Sequence, residues 1–227
     1  MTNEELNNPV WHALAGPQAN WAERKGRAVR FVPDAAPFFA IGRAAPEAYA
    51  DLRVILRNAA EARLFRPHPE ATPKGWRKTF EKPILQMVLP ATVGLPPDAP
   101  GICALGRGDR ADMMELARTT KPGPFGPRTH ELGAYIGIRR DGRLVGMAGE
   151  RFRLQGHTEI SAVAVDPSWR GQGFGRALTA ALASAIRRAG KIPLLHVFAD
   201  NTPALKLYES IGFTTRAELT IVWLAPE

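Results

Sequence analysis

The chain has 227 residues, of which 45% are hydrophobic and 23% charged, as is ordinary for a folded protein of one large or two small domains. Its one cysteine, Cys103, excludes an intrachain disulfide and a cysteine-based zinc site. The formal net charge is +8, but the basic residues are dispersed among acids. This pattern does not favour nucleic acid as the main partner and suits a ligand that carries several phosphates.

The amino terminus predicts a cytoplasmic protein. Glu4 and Glu5 stand where a secretory signal would carry basic residues followed by an apolar run. No stretch has the length and apolarity of a membrane span. We therefore expect no membrane partner.

Residues 1–89 carry no catalytic motif but predict a small α+β unit. Short apolar runs predict strands at 28–32, 37–41, 61–65 and 83–89. Pro46 begins a predicted helix with an apolar stripe at helical spacing: Ala48, Tyr49, Leu52, Ile55, Leu56 and Ala59. Because a unit of roughly 90 residues buries only a modest fraction of its surface, we expect it to pack on the rest of the chain across an apolar interface.

Residues 90–101 are the predicted linker, since they contain four prolines and two glycines without periodicity. Residues 102–105 then predict a strand, and Asp109 can cap a helix that carries Met113 and Leu116. Residues 121–130 form a loop rich in proline and glycine. Asp141-Gly142 is typical of a tight hairpin turn, so residues 131–139 and 143–152 predict a pair of strands.

A buried strand at 158–165 is followed by Arg170-Gly-Gln-Gly-Phe-Gly175 and an amphipathic helix that ends at Gly190. Glycines let successive backbone N–H groups approach one anion, and the first helical turn adds unpaired donors and the positive end of its dipole. The spacing differs from the dinucleotide fingerprint, and the lysine of a Walker loop is missing. The segment therefore predicts a phosphate site; a purely structural turn is the alternative.

Residues 192–199 predict the next strand, and a short helix follows with Thr202 as its N-cap and Pro203 at its first position. Gly212 ends this helix, and residues 217–224 predict the final strand.

Two segments resemble motifs of the GNAT acetyltransferase superfamily. The first, Arg170-x-x-Gly173-x-Gly175, is similar to its acetyl-coenzyme A pyrophosphate loop. The second, Asn201-x-x-Ala204-x-x-Leu207-Tyr208-x-x-x-Gly212-Phe213, is similar to its signature on the following helix. The resemblance covers residues 102–227 and implies a mixed α/β sheet with helices on both faces. The smaller α+β unit at 1–89 is then either a degenerate half of the same fold, as in the glycine-N-acyltransferase-like branch, or an unrelated extension.

The resemblance implies an acetyl-CoA-dependent N-acetyltransferase that uses no metal and acts on a primary amine of a small molecule, an amino acid or a peptide. The alternatives are a non-catalytic acyl-CoA sensor and an acyltransferase for a longer acyl chain. A homodimer is left open. The implied cofactor-binding residues are Val163, Ala164, Val165, Arg170, Gly171, Gln172, Gly173, Phe174, Gly175, Arg176, Asn201, Ala204 and Tyr208.

Amine attack on a thioester needs a base, donors for the oxyanion and an acid for the thiolate. The resemblance implies Tyr208 as the acid and backbone N–H groups near residues 162–165 as the donors. Glu159 is the candidate base, since a carboxylate in a buried sheet should have a raised pKa. The alternatives to Glu159 as the base are His196 and water. His157 is a further alternative base of the same kind as His196. Candidate acceptor contacts lie in the loop at Phe125, Arg128 and His130.

Overall fold

Two short helices and a small antiparallel sheet open the computed structural model, which describes residues 4–97 and 99–227. The helices are α1 (Glu4–Asn7) and α2 (Pro9–Ala15), and the strands of the small sheet are β1 (Ala22–Lys25), β2 (Ala28–Phe31) and β3 (Phe39–Ile41). Helix α3 (Pro46–Leu56) follows, with Pro46 in its first turn. Two further strands complete this part of the chain, β4 (Ala62–Arg66) and β5 (Trp76–Val88).

The elements after residue 99 follow the predicted order. They are β6 (Ile102–Leu105), α4 (Arg110–Thr120), β7 (Tyr135–Arg140), β8 (Arg143–Arg153), β9 (His157–Val165), α5 (Phe174–Arg188), β10 (Ile192–Phe198), α6 (Thr202–Ile211) and β11 (Thr214–Pro226). The mixed α/β class predicted from the sequence is therefore confirmed. None of the described helices combines the length and the apolarity that a bilayer crossing requires.

Strands from before and after the predicted linker alternate in one large sheet. Among the described residues its order is β4-β11-β5-β10-β9-β8-β7-β6. Strand β5 lies between β10 and β11 and is antiparallel to both, and β9 with β10 is the parallel pair. The two parts of the chain thus share backbone hydrogen bonds as well as apolar contacts. Their division at residues 90–101 into separate domains stays a prediction.

The sheet is covered on both faces. Helices α5 and α6 pack on one face around Ile160, Leu178, Leu195 and Ile211. Because side chains alternate along a strand, the neighbours of Leu195 on β10 point to the opposite face. There α1, α2 and the small sheet build a second core with an aromatic centre, formed by Phe31, Phe38, Phe65 and Phe152. Helix α4 covers the β6–β7 end of that same face.

The central strand β9 is irregular at the point where it meets the glycine loop. Its pairing with β8 shifts register between Met147 and Gly149, and Ala162 has a left-handed φ of 52°. Its pairing with β10 stops at Glu159 and Leu194, although β9 continues to Val165. The two parallel strands therefore diverge and leave a gap between them.

Several element boundaries differ from the sequence prediction, and the contacts explain three of the differences. Strand β3 begins at Phe39 rather than at residue 37, and β11 extends over Thr214–Pro226 rather than 217–224. Strand β5 begins at Trp76 rather than at residue 83, because it pairs with β11 over its full length. Strand β7 begins at Tyr135, because residues 129–131 form a 3₁₀ turn. The N-cap of α6 is Asn201 rather than Thr202, since the Asn201 side-chain oxygen accepts the Ala204 N–H at 3.3 Å.

Candidate active site

A cavity of about 560 Å³ opens between the end of β9, the glycine loop and the amino-terminal ends of α5 and α6. Of the thirteen residues predicted to bind the cofactor, twelve line it; Gln172 lies in the same loop without lining the cavity. The sequence reasoning missed four other lining residues: Thr120, Trp169, Pro203 and Leu207. Leu207 belongs to the second signature, so its place could have been inferred. Thr120, at the end of α4, carries no such signal.

The glycine loop leaves its backbone open to the cavity. Gly171 and Gly173 both have φ of 78°, a conformation that glycine adopts without strain, and a Cβ at either position would meet nothing within 4 Å. The Ala177 N–H donates to the Gly173 carbonyl as the first backbone bond of α5. The N–H groups before Ala177 have no partner within the helix, an arrangement that suits an anion.

The surroundings of this loop are positively charged. Arg170 and Arg176 line the cavity, and the Arg140 guanidinium lies 5.1 Å from the centre of the Phe174 ring. The positive end of the α5 dipole adds to their field. A ligand with several phosphate groups fits this arrangement. Among the described residues, no group of three or more His, Cys, Asp or Glu side chains could hold a metal ion.

The gap beside β9 exposes backbone donors to the same cavity. The Asp166 N–H donates to the Val145 carbonyl of β8 at 2.8 Å. Because successive peptide groups of a strand point in opposite directions, the N–H groups of Val165 and Val163 point away from β8, into the gap. The left-handed Ala162 just before them costs on the order of 1–3 kcal/mol, a strain that is typical of functional sites.

Tyr208 projects from α6 into the wall of the cavity. Burial, followed by the negative charge of Glu159, raises the pKa of Tyr208 to about 12. Its hydroxyl therefore keeps its proton at neutral pH, as a proton donor must.

Glu159 lies on the aromatic face of the sheet with a fully buried side chain. The Arg151 guanidinium holds both carboxylate oxygens, with Nη2 2.5 Å from Oε1 and Nε 2.8 Å from Oε2. The Phe152 N–H donates to Oε2 at 3.3 Å. Burial alone raises the pKa of Glu159, but the charge of Arg151 and the hydrogen bonds from His196 and Arg151 outweigh it and lower the pKa to about 2. The expectation of a raised pKa was wrong, because the sequence does not show that β8 supplies a partner.

The two histidines weighed as bases lie away from the cavity. His196 is also fully buried, with Nδ1 2.7 Å from Glu159 Oε1 and Nε2 2.9 Å from the Gln86 amide nitrogen. His157 is the first residue of β9, at the end of the strand remote from the glycine loop, and burial lowers its pKa. Neither ring lines the cavity.

The three loop residues proposed for the acceptor lie at the junction with the amino-terminal part. Phe125 packs edge-on against Tyr135, with ring centres 5.8 Å apart. Arg128 pairs with Glu131 and lies over the Trp21 ring, while His130 is buried. Of these, Phe125 lines a neighbouring cavity of about 460 Å³ between α4 and the loop.

Comparison with known proteins gives the family. Residues 135–224 match the model of the FR47-like protein family. A solved structure described as a putative acetyltransferase from the GNAT family, from Novosphingobium aromaticivorans, is 39% identical, covers 98% of both chains and has a TM-score of 0.89. The chain belongs to the GNAT family. Because the match covers 98% of this chain, it includes residues before the predicted linker.

Two curated relatives of this GNAT protein carry more specific names. The N-alpha-acetyltransferase RimI of Mycobacterium tuberculosis is 40% identical over 125 residues, which are 49% of this chain and 77% of that protein. The mycothiol acetyltransferase of Thermomonospora curvata is 39% identical over 89 residues, 38% of this chain and 29% of that protein. The chain therefore spans less than a third of that mycothiol acetyltransferase. Neither name refers to glycine N-acyltransferases.

Proposed function

We propose that this GNAT protein is an acetyl-CoA-dependent N-acetyltransferase for a primary amine of a small molecule or a peptide. The observation that carries the proposal is the cavity, which is lined by the open glycine loop, the end of β9 and Tyr208. Both curated relatives are named acetyltransferases, and the name N-alpha-acetyltransferase of one of them supports an amine acceptor. The test is thiol release from acetyl-CoA and from longer acyl-CoAs against a panel of amines. If no amine supports thiol release, the enzyme assignment fails.

Each part of the cavity has a role in this proposal. The N–H groups of residues 171–176 bind the pyrophosphate, assisted by Arg170 and Arg176. The backbone of Val163 and Val165 holds the pantetheine arm, and their N–H groups serve the thioester oxygen as it gains negative charge. When bound, acetyl-CoA supplies the acetyl thioester and a thiolate leaving group. Tyr208 donates a proton to the sulfur and recovers one from solvent.

The structure of the Glu159 site does not favour either predicted side-chain base. Glu159 and His196 are both fully buried, and both oxygens of Glu159 and both nitrogens of His196 have partners within hydrogen-bond distance. A carboxylate with a pKa of about 2 is also a weak base. We therefore propose that water removes the amine proton and that Glu159 acts through its charge, which raises the pKa of Tyr208.

Gly173→Glu is expected to abolish coenzyme A binding, because the new carboxylate occupies the anion site. Gly190→Glu is the matched control: Gly190 has φ of 72°, a Cβ there would also meet nothing within 4 Å, and it follows the other end of α5. Backbone strain is therefore similar in the two variants. Calorimetry of both folded variants makes the comparison. Unchanged affinity in Gly173→Glu would remove the basis of the cofactor assignment.

Tyr208→Phe is expected to lower turnover by roughly 10²- to 10⁴-fold, the usual contribution of a positioned proton donor, with little change in coenzyme A affinity. Tyr135→Phe is the control. The Tyr135 hydroxyl is buried and has no hydrogen-bond partner among the described residues, so its loss should leave turnover within a few-fold of wild type. Steady-state and single-turnover rates of thiol release measure the difference. Equal rates in the two variants would assign the proton to another donor.

A non-catalytic acyl-CoA sensor would need the glycine loop but no proton donor. The place of Tyr208 in the cavity wall supports the enzyme over the sensor. The glycine-N-acyltransferase-like branch has no support in the names of the relatives. A cytoplasmic location and a homodimer stay predictions.

A further inference from the structure

A buried chain of polar groups runs from the amino-terminal helix to Glu159, the carboxylate whose charge acts on Tyr208. Arg216 of β11 donates to the Gln86 side-chain oxygen, with Nη1 2.7 Å from Oε1. The Gln86 amide nitrogen lies 2.8 Å from the Leu6 carbonyl oxygen of α1 and 2.9 Å from His196 Nε2. At the other side of the ring, His196 Nδ1 lies 2.7 Å from Glu159 Oε1. The chain crosses strands β11, β5, β10 and β9 in their order in the sheet.

The partners of Gln86 fix which way its amide points. An arginine can only donate, so the atom next to Arg216 must be the amide oxygen. A carbonyl can only accept, so the atom next to Leu6 must be the amide nitrogen. The flipped amide would place two donors together at Arg216 and two acceptors together at Leu6. With both ends fixed, the second hydrogen of the Gln86 amide points at His196.

The orientation of Gln86 determines the protonation of His196. Since Gln86 donates to Nε2, that nitrogen must carry its lone pair. Nδ1 must carry the proton, because it faces the ionised Glu159 carboxylate, which can only accept. The ring is therefore neutral, although it touches a carboxylate. A protonated ring would direct an Nε2–H at the Gln86 N–H inside a fully buried site.

We infer that Gln86 holds His196 as a neutral ring protonated on Nδ1, so that the amino-terminal part of the chain fixes the charge next to Glu159, the carboxylate that acts on Tyr208. The consequence for catalysis rests on the proposed function. His196 is then a positioning residue: its lone pair is already engaged, and it cannot take a proton from an amine. Its donated hydrogen bond orients Glu159 without cancelling the carboxylate charge.

The neutral charge of the His196 ring affects the other charged and titratable groups around Glu159. Arg151 on β8 pairs with Glu159, and Tyr135 on β7 and Tyr208 on α6 both feel its charge. Arg216 lies behind Gln86, and Glu150 of β8 pairs with Arg153. A second cation at His196 would leave Tyr208 facing a net positive cluster, and its hydroxyl would lose its proton at lower pH.

The decisive measurement is the nitrogen chemical shifts of His196 in the full-length protein. Long-range proton–nitrogen correlation at pH 7 on a uniformly labelled sample, assigned by the signal lost in His196→Asn, is expected to show a protonated Nδ1 and an unprotonated Nε2. This is the less common tautomer of a neutral histidine in solution. A ring protonated on Nε2, or on both nitrogens, would overturn the inference.

Gln86→Glu supplies a second readout. The new carboxylate next to Leu6 O and His196 Nε2 needs a donor, so His196 should become doubly protonated at pH 7. In the same nitrogen spectrum, Gln155→Glu, which adds a carboxylate at an exposed position, should leave His196 neutral. Coenzyme A calorimetry verifies that each variant is folded.

The two proposals fail in different ways. If His196 shows the expected tautomer but no amine is acetylated, the proposed function is wrong and the inference about Gln86 stands. If acetylation depends on Tyr208 but His196 in the wild type is cationic, the proposed function stands and the inference is wrong. If Gln86→Glu leaves His196 neutral, Gln86 does not set its charge.

Discussion

A fragment of residues 99–227 is expected to be unfolded or aggregated and to lose coenzyme A binding. In the full chain, β11 pairs with β4 and β5 and with no other described strand, and both partners precede residue 90. The fragment therefore removes every strand neighbour of β11, whose Leu219, Ile221, Val222 and Leu224 are buried. It also turns β10 into a bare edge, since β5 is its antiparallel neighbour. Unpaired apolar edges of this kind promote aggregation.

The matched control keeps every strand and cuts the chain at the linker. A protease site inserted at Gly94, where a Cβ would meet nothing within 4 Å, allows cleavage after folding. The nicked protein should stay associated and bind coenzyme A like the intact chain. Size-exclusion chromatography, thermal unfolding and calorimetry compare the fragment, the nicked protein and the intact chain. A monomeric fragment with the melting temperature and affinity of the full chain would show instead that residues 102–227 fold independently of the residues before the linker.

The elements of the candidate site could be predicted because their signals are local. The glycines at 171, 173 and 175 and the helix that follows are adjacent in the sequence, and so are Asn201 and Tyr208 in the second signature. The Asp141-Gly142 turn fixes the hairpin in the same way; both residues have positive φ. For these elements, a few neighbouring residues determine the conformation.

The features that the sequence did not reveal depend on pairing between distant segments. The insertion of β5 between β10 and β11 joins residues more than 100 positions apart, and no local pattern records it. The same limit applies to Glu159. Its partner Arg151 lies across a register shift on β8, so the sequence showed a buried carboxylate without its counter-ion. Burial without a partner raises a carboxyl pKa, and burial with a guanidinium lowers it.

Arg151→Met is expected to destabilise the protein by about 3–5 kcal/mol at pH 7, because it leaves the Glu159 carboxylate buried without its countercharge. Methionine keeps the apolar contact with Phe38 and Phe152, whose ring centres lie 4.9 Å and 4.6 Å from the Arg151 guanidinium carbon. The loss of stability in Arg151→Met therefore measures mainly the removal of the positive charge. Urea unfolding of wild type and variant measures it.

Arg153→Met is the matched control on the same strand. Arg153 also pairs with a glutamate, Glu150, with Nη2 2.5 Å from Oε2, but its side chain is 45% exposed. Glu150 is 11% exposed and keeps the Ala134 N–H as a donor, whereas Glu159 is fully buried, so this variant should lose less stability than Arg151→Met. A similar loss in both variants would mean that the effect is not specific to the buried pair.

The pH dependence and a double variant separate the charge effect from general damage. In wild type the pKa of Glu159 is about 2, below the value of the unfolded chain, so its stabilisation is present above pH ~4.5 and lost as the pH falls toward 2. In Arg151→Met the pKa of Glu159 should rise, and the carboxyl then accepts a proton in the folded state. The difference in stability between wild type and Arg151→Met should therefore shrink as the pH falls from 7 toward 4.

Arg151→Met combined with Glu159→Gln should regain much of the lost stability at pH 7, because no buried charge remains. If the double variant is no more stable than Arg151→Met, the destabilisation comes from lost packing and the charge argument fails.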